Sequence, residues 1–324
     1  KEYRRQRQMC IRDRTSMIVL PIDIGGTQIK SGLVSDDYQI EATFPPLPSP
    51  DNLSDCLALF DDLIQPVLLQ ISGIAISAPG TIDTKQSIIY YGGTLPFLHD
   101  FKVKDYFAKT YGLPASALND GKAAVLAELA RGNLQGCQNA AALVLGTGLG
   151  GGLVLNGQLY QGTHFQAGEL TFLLPPKLAK IEIGEMRGVE VSAVALVQRL
   201  AELLGLADKT DGRSVFQALE QKDKRVYSIF EDYCRYVALT ILNLQTTLDL
   251  ERFAIGGGIS AQPLLLEEIN RQFDRLKEEV APVSTIIERP DIVACRHHNH
   301  ANLIGAAYLC LLYTSPSPRD GATS

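Results

Sequence analysis

The chain has 324 residues, 46% of them hydrophobic, and a formal net charge of −6. That is enough apolar material for two modest α/β domains with their own cores, and the acidic balance argues against a nucleic-acid surface. No apolar run reaches the roughly eighteen residues of a membrane span, so no membrane partner is expected. Six cysteines without a C-x-x-C pair point to reduced thiols in the cytoplasm rather than to a disulfide framework.

The first sixteen residues, KEYRRQRQMCIRDRTS, carry six basic and two acidic side chains and lack the apolar stretch of a secretory signal. Met17 to Lys30 then reads as an apolar strand entering Asp23, a turn at Gly25, Gly26 and Thr27, and a returning strand from Ile29 to Val34. A carboxylate at a strand end can hold a hydrated Mg²⁺, which keeps several waters and takes only one or two carboxylates. Thr27 offers a hydroxyl and an amide to a phosphate oxygen. Taken alone, Asp23 is equally a turn-capping carboxylate. Between Asp51 and Gln70 a helical pattern is broken by Pro66, and Gly73 to Ser77 reads as a buried strand that turns at Ala78, Pro79 and Gly80.

From Leu118 to Glu169 an acidic residue, a glycine-rich turn and a second carboxylate follow one another. Asn119 and Asp120 end a short apolar run and open an alanine-rich helical pattern, which places them at a strand end. Ala140 to Leu145 reads as a buried strand running into Gly146, Thr147, Gly148, Leu149, Gly150, Gly151 and Gly152, where backbone amides can approach an anion. The spacing matches G-x-G-x-x-G, but Leu153 to Tyr160 reads as strand, Asn156-Gly157 turn and strand, not the helix a dinucleotide fold requires. No GK[ST] follows either, so this is not a Walker A loop. What remains is a strand, glycine turn, strand hairpin of the kind already read at Asp23. Such a hairpin is often only a tight turn, yet two of them, each opening an α/β segment, are the expected mark of a duplicated domain whose halves hold one polyphosphate. Later, Val226 to Leu248 is the longest helical pattern, its stripe of Ile229, Tyr233, Tyr236, Val237, Ile241 and Leu244 read as core and the remainder as a possible dimer face. Phe253 to Ile255 enters Gly256, Gly257 and Gly258 before a helix from about Pro263. Cys295, His297, His298 and His300 fit no common zinc spacing.

DIGGTQIK at 23–30, ISAPG at 76–80, LND at 118–120, GTGLGGG at 146–152, GTHFQAGEL at 162–170, IGGGIS at 255–260 and LIGAAYL at 303–309 resemble, in order, the motifs of the ROK family of sugar kinases and sugar-responsive repressors. The resemblance runs from about Met17 to Leu311. It implies a two-lobed α/β fold of the actin, hexokinase and Hsp70 type, duplicated and ribonuclease H-like, with a central cleft. The lobes are expected at 17–118 with 302–312, the last helix crossing back onto the first lobe, and at 119–301. Segments 1–16 and 313–324 stand outside, since MCIRDR and LYTSPSPRDGATS resemble translated sequencing-adaptor sequence. The basic start is also far too short for the winged-helix domain of the family's repressors.

The resemblance further implies ATP and Mg²⁺ as cofactors, with Asp23 (through water to Mg²⁺), Gly25, Gly26, Thr27, Lys30, Gly146, Thr147, Gly148, Gly150 and Gly151 at the phosphates and Gly256, Gly257 and Gly258 against the adenosine. Phosphoryl transfer needs positioning, charge neutralisation and a carboxylate that accepts the hydroxyl proton. Asp120 matches the family's base, although by residue type it is equally the N-cap of its helix. Gly80, Asn119, Asp120 and Glu169 match sugar-binding positions. The expected reaction is transfer of the γ-phosphate to the 6-hydroxyl of a hexose, by a homodimer. Glucose, a β-glucoside and an N-acetylhexosamine stay open as acceptors, and a sugar-sensing regulator or an inactive sugar binder as alternatives. The sequence departs from the family at Thr94, where many members have Asn, and at Phe172, where many have a zinc-binding His followed by a cysteine-rich segment. No structural zinc is therefore expected, and an apolar wall at Phe172 would suit a substituted sugar. His164 reads as loop packing.

Overall fold

The computed structural model describes residues 17–176 and 179–314. Segment 1–16 and residues 315–324 of the closing segment therefore lie outside the described residues. Two compact units emerge, one holding the described residues up to Leu118 together with those from Ala306 on, the other running from Asn119 to Gly305.

In the first unit, β1 (Ile18–Ile24) is buried along most of its length, which explains a continuous apolar run rather than an alternating one. It pairs antiparallel with β2 (Gln28–Ser35) and parallel with β5 (Gly73–Ala78), placing Asp23 opposite both Lys30 and Ser77. Two short strands, β3 (Ile40–Thr43) and β4 (Leu47–Pro48), add to β2. Helix α1 (Leu53–Ile64) starts where the Asn52 side chain accepts from the Asp55 amide, and gives way at Pro66 to a 3-10 turn over Gln65–Val67, because proline cannot continue the helical bonding. A separate small sheet of β6 (Thr81–Asp83), β7 (Ile88–Tyr91) and β8 (Phe101–Lys102) precedes helix α2 (Val103–Tyr111), which ends on Gly112 at φ 69°. Strand β9 (Ala115–Asn119) completes the order β3-β2-β1-β5-β9. The core is aliphatic from the sheet and aromatic from the helices, with the Phe60 and Phe107 rings 5.3 Å apart.

The second unit opens with α3 (Asp120–Arg131) and builds its sheet from β10 (Ala140–Leu145), β11 (Leu149–Leu155) and β12 (Gln158–Tyr160). Asn156 and Gly157 turn the hairpin at φ 54° and 71°, the left-handed pair that such a tight turn requires. Helices α4 (Arg187–Glu190), α5 (Ala193–Leu203), α6 (Gly212–Glu220) and α7 (Tyr227–Leu248) lead to β13 (Arg252–Gly257). Then come α8 (Pro263–Glu279), α9 (Ala281–Ile286), β14 (Asp291–Ala294) and α10 (Ala301–Thr314). The strand order β12-β11-β10-β13-β14, antiparallel up to β10 and parallel beyond it, repeats the plan of the first sheet.

Two sequence expectations need correction. Tyr236, read as core, is 42% exposed on the flank of α7, with the Arg187 guanidinium 5.2 Å over its ring; Tyr233, Val237 and Ile241 are the buried face. Helix α10 also runs through Thr314, two residues into the segment expected to lie beyond the fold, because nothing in Leu312-Tyr313-Thr314 interrupts helical bonding.

Candidate functional site

In the first unit, Asp23 is half-buried and accepts a hydrogen bond from Ser77 Oγ at 2.8 Å, so the neighbouring strand orients its carboxylate. The turn that follows is closed by the Gly25 amide donating to Gln28 O at 3.0 Å. Ser49 pins it from outside, its hydroxyl donating to Gly25 O at 2.6 Å and its amide to Thr27 O at 3.1 Å. Gly26 and Thr27 are exposed and Lys30 is half-buried. Gly80, at φ 101°, stands against the Gly92-Gly93 turn, where a Cβ would fall 1.9 Å from Tyr91 O. In the same loop, Thr94 places its hydroxyl 3.4 Å from where a Cβ on Gly26 would stand.

In the second unit, Asn119 rather than Asp120 caps α3. Asn119 Oδ1 accepts from the Gly121 and Lys122 amides at 2.9 and 3.3 Å, and the side chain is buried. The capping role that residue type alone allowed for Asp120 is thus taken, and Asp120 stands exposed in the first helical turn, accepting from the Gly121 amide at 2.8 Å. A carboxylate there lies in the field of the first-turn amides. Two residues on, Lys122 is fully buried. Its ammonium donates to Phe165 O at 2.6 Å and stands 3.7 Å from Glu169 Oε1, and Asp120 also acts on it electrostatically. Desolvation pulls Lys122 below its ordinary pKa, against the upward pull of Glu169 and Asp120. Burial likewise raises Glu169, against the downward pull of Lys122. The cluster thus joins Asp120 and Glu169 through a cation, with Asn119 at the head of the same helix.

The glycine turns divide by the space around them. A Cβ on Gly148 would fall 2.8 Å from Thr171 Oγ1, a hydroxyl that accepts from the Leu149 amide and donates to Leu149 O. Gly151 is buried against Gly168 O and Leu170, and Gly150 faces Val144. At the end of β13, Gly257 (φ 102°) leaves room for Leu145 O, and Gly256 for the Cys295 thiol. By contrast, a Cβ on Gly146 or on Gly258 would meet nothing within 4 Å, and Thr147 between two glycines is exposed. Packing therefore explains Gly148, Gly151, Gly256 and Gly257, while Gly146, Thr147 and Gly258 leave open backbone that a nucleotide can approach. The carboxylate of Asp23, oriented by Ser77, likewise fits Mg²⁺ held largely through water. Among the described residues no three His, Cys, Asp or Glu side chains group to hold a metal ion. Cys295 is buried, and His298 and His300 are exposed, as are His164 and Phe172. Sequence reasoning missed Lys122 and Thr171: a lysine in a helix reads as solvated, and a threonine in a loop carries no spacing signal.

The Listeria monocytogenes serovar 1/2a protein named beta-glucoside kinase is 29% identical over 294 residues, covering 90% of this chain and 97% of that protein. The glucokinase of Halalkalibacterium halodurans is 28% identical over 322 residues, covering 89% and 93%. Among solved structures, a ROK family protein from Streptococcus pneumoniae TIGR4 in complex with sucrose aligns with a TM-score of 0.79 at 29% identity, covering 92% of this chain and 99% of that one. The fold is thus the actin-like one of ROK sugar kinases. With the ROK family model matching residues 19–312 as well, the chain belongs to the ROK family.

Proposed function

We propose that this protein is an ATP-dependent sugar kinase that transfers the γ-phosphoryl group to the 6-hydroxyl of a hexose. The relatives named as sugar kinases cover nearly the whole chain and support the kinase reading. The observation that carries the site assignment is the cluster on α3, where an exposed Asp120 in the first turn follows the capping Asn119 and shares the Lys122 cation with Glu169. In this reading Asp120 accepts the proton of the attacking hydroxyl, while Asn119, Glu169 and Gly80 hold the remaining hydroxyls, a polar set that rejects acceptors lacking them. Asp23, Gly25 to Thr27, Lys30, Gly146 to Gly148, Gly150, Gly151 and Gly256 to Gly258 would hold Mg-ATP, which supplies the phosphoryl group and screens the charge on its oxygens. Exposed Phe172 offers an apolar neighbour to a substituent on the sugar, so β-glucosides are the acceptor class assigned first. The exposed apolar side chains Val194, Leu203 and Tyr236 support a homodimer, which light scattering tests. Assignment to the cytoplasm rests on the buried thiols of Cys56, Cys137, Cys234 and Cys295, which form no disulfide.

The test is sugar-dependent ADP release with Mg-ATP across glucose, methyl β-glucoside, N-acetylglucosamine and N-acetylmannosamine. Asp120→Asn should lower turnover by about 100-fold or more, the size of general-base catalysis. No turnover of the wild type on any of these sugars would overturn the kinase assignment.

A further inference from the structure

We propose that Lys122 is a positioning residue for the sugar: from inside the second unit it holds the loop from Gln161 to Glu169 in a preformed state that presents the Glu169 carboxylate to substrate hydroxyls. The inference rests on the reading of Glu169 as a sugar-binding residue.

A lysine is almost never fully buried without a partner, because its ammonium loses hydration. Lys122 is 0% exposed, in a helix whose other buried positions include Ala123, Ala124, Val125, Leu126 and Ala127. Packing alone would be served by an apolar side chain, since replacing a buried ion pair by apolar groups is often neutral or stabilising. The cation is therefore explained by what it holds. The loop on the other side of the contact turns through the left-handed region at Gly162 (φ 72°), Phe165 (φ 60°) and Gly168 (φ 88°), which the two glycines adopt freely. For Phe165, a bulky residue, that geometry persists only where the surroundings over-determine it. The short bond from Lys122 Nζ to Phe165 O, at 2.6 Å, is such a determinant. The second contact differs in kind. At 3.7 Å, Glu169 Oε1 is within ion-pair range, and the Glu169 side chain keeps 32% of its surface exposed. Lys122 thus fixes the side of Glu169 that faces the interior and leaves the exposed part of the side chain for substrate. The approach of helix to loop is set by glycines. A Cβ on Gly121 would fall 2.7 Å from Gly151 O, and one on Gly168 would fall 3.1 Å from the same oxygen. One strand carbonyl therefore sets the depth of both the helix bearing Lys122 and the loop bearing Glu169.

The experiment compares the wild type, Lys122→Met, Glu169→Gln and the double variant, titrated calorimetrically with glucose and methyl β-glucoside and assayed at steady state with Mg-ATP. Lys122→Met should weaken sugar binding by about tenfold or more and raise KM for sugar, with KM for ATP nearly unchanged. If Lys122 acts through Glu169, the double variant should bind sugar no worse than Glu169→Gln alone. Sugar affinity unchanged in folded Lys122→Met, or losses that multiply in the double variant, would overturn the inference while leaving the kinase assignment standing. A wild type that binds none of glucose, methyl β-glucoside, N-acetylglucosamine and N-acetylmannosamine would overturn both. Should Lys122→Met fail to fold, hydrogen exchange of the wild type decides. Amides of 161–169 already slow without sugar support a preformed loop, and amides that exchange freely until glucose or methyl β-glucoside is added overturn it.

Discussion

Glu169 and Lys122 each resist, through burial, the charge that the other favours. The sign for Glu169 follows directly. With its pKa raised by burial, and Lys122 opposing that rise, the carboxylate protonates on acidification before an ordinary one would. A sugar-accepting Glu169 therefore loses affinity as pH falls through that raised value, and Glu169→Gln should show a weaker, flatter profile when sugar Kd is measured between about pH 4 and 8. The same shifts set stability. Glu169, raised, contributes stability below its unfolded pKa that is lost as pH rises through the folded one; Lys122, lowered, contributes stability above its unfolded pKa that is lost as pH falls through the folded one. Between the two folded values neither contribution remains, so the charged pair is at its costliest there. The double variant Lys122→Met/Glu169→Gln should accordingly show a melting temperature that varies less with pH than that of the wild type, while losing sugar affinity. Asn119, Asp120 and Glu169 were legible in the chain because polar residues interrupt apolar strands and glycines there. Lys122 was not, because its burial is decided by a loop 43 residues away.

Helix α3 shows why periodicity fails where packing closes on every side. Every residue from Gly121 to Glu128 is buried, so no polar face marks its direction. The helix fits because glycines receive it: a Cβ on Gly152 would fall 2.4 Å from Val125 Cγ1, and one on Gly305 would fall 1.8 Å from Ala123 O. Gly305→Ala meets backbone that cannot yield, and should cost about 3 kcal/mol or more in urea unfolding, at or above the upper end for overpacking. The far end of the helix is fastened by Glu128, whose carboxylate accepts from the amides of Asn133, Arg296 and His297 at 2.8, 2.8 and 3.0 Å. Glu128→Ala strands those donors and should destabilise by about 3 kcal/mol, with Glu128→Gln milder because its amide oxygen still accepts. Other elements were readable from local chemistry alone: the Asn156-Gly157 hairpin, the stop at Pro66, and the strand into Gly146. The small sheet of β6, β7 and β8 was not, since Thr81–Asp83 and Phe101–Lys102 are too short to show a period.

Across the molecule, two sheets with one strand plan were foreshadowed by two glycine turns, each following an apolar strand. The α/β class was therefore legible, while the pairing of β1 with β5 and of β10 with β13 depends on long-range register that no local pattern carries. The five cysteines among the described residues are buried; burial pushes the Cys56 thiol up to about 12 and raises Cys137, Cys234 and Cys295 as well. Because the thiolate is the reactive form, iodoacetamide should alkylate none of these five in the native protein and all of them in urea, as read by mass spectrometry. The division of the chain reaches further than chemistry. The second unit is one uninterrupted segment, whereas the first takes in α10 from Ala306 on, where the Cys310 thiol reaches Ile74 O and the Tyr308 ring lies 5.1 Å from that of Tyr38. As the polypeptide leaves the ribosome, the part synthesised first must wait for the part synthesised last. The middle segment can fold while translation continues, and the amino-terminal sheet stays without its last packing partner until the closing helix has been released.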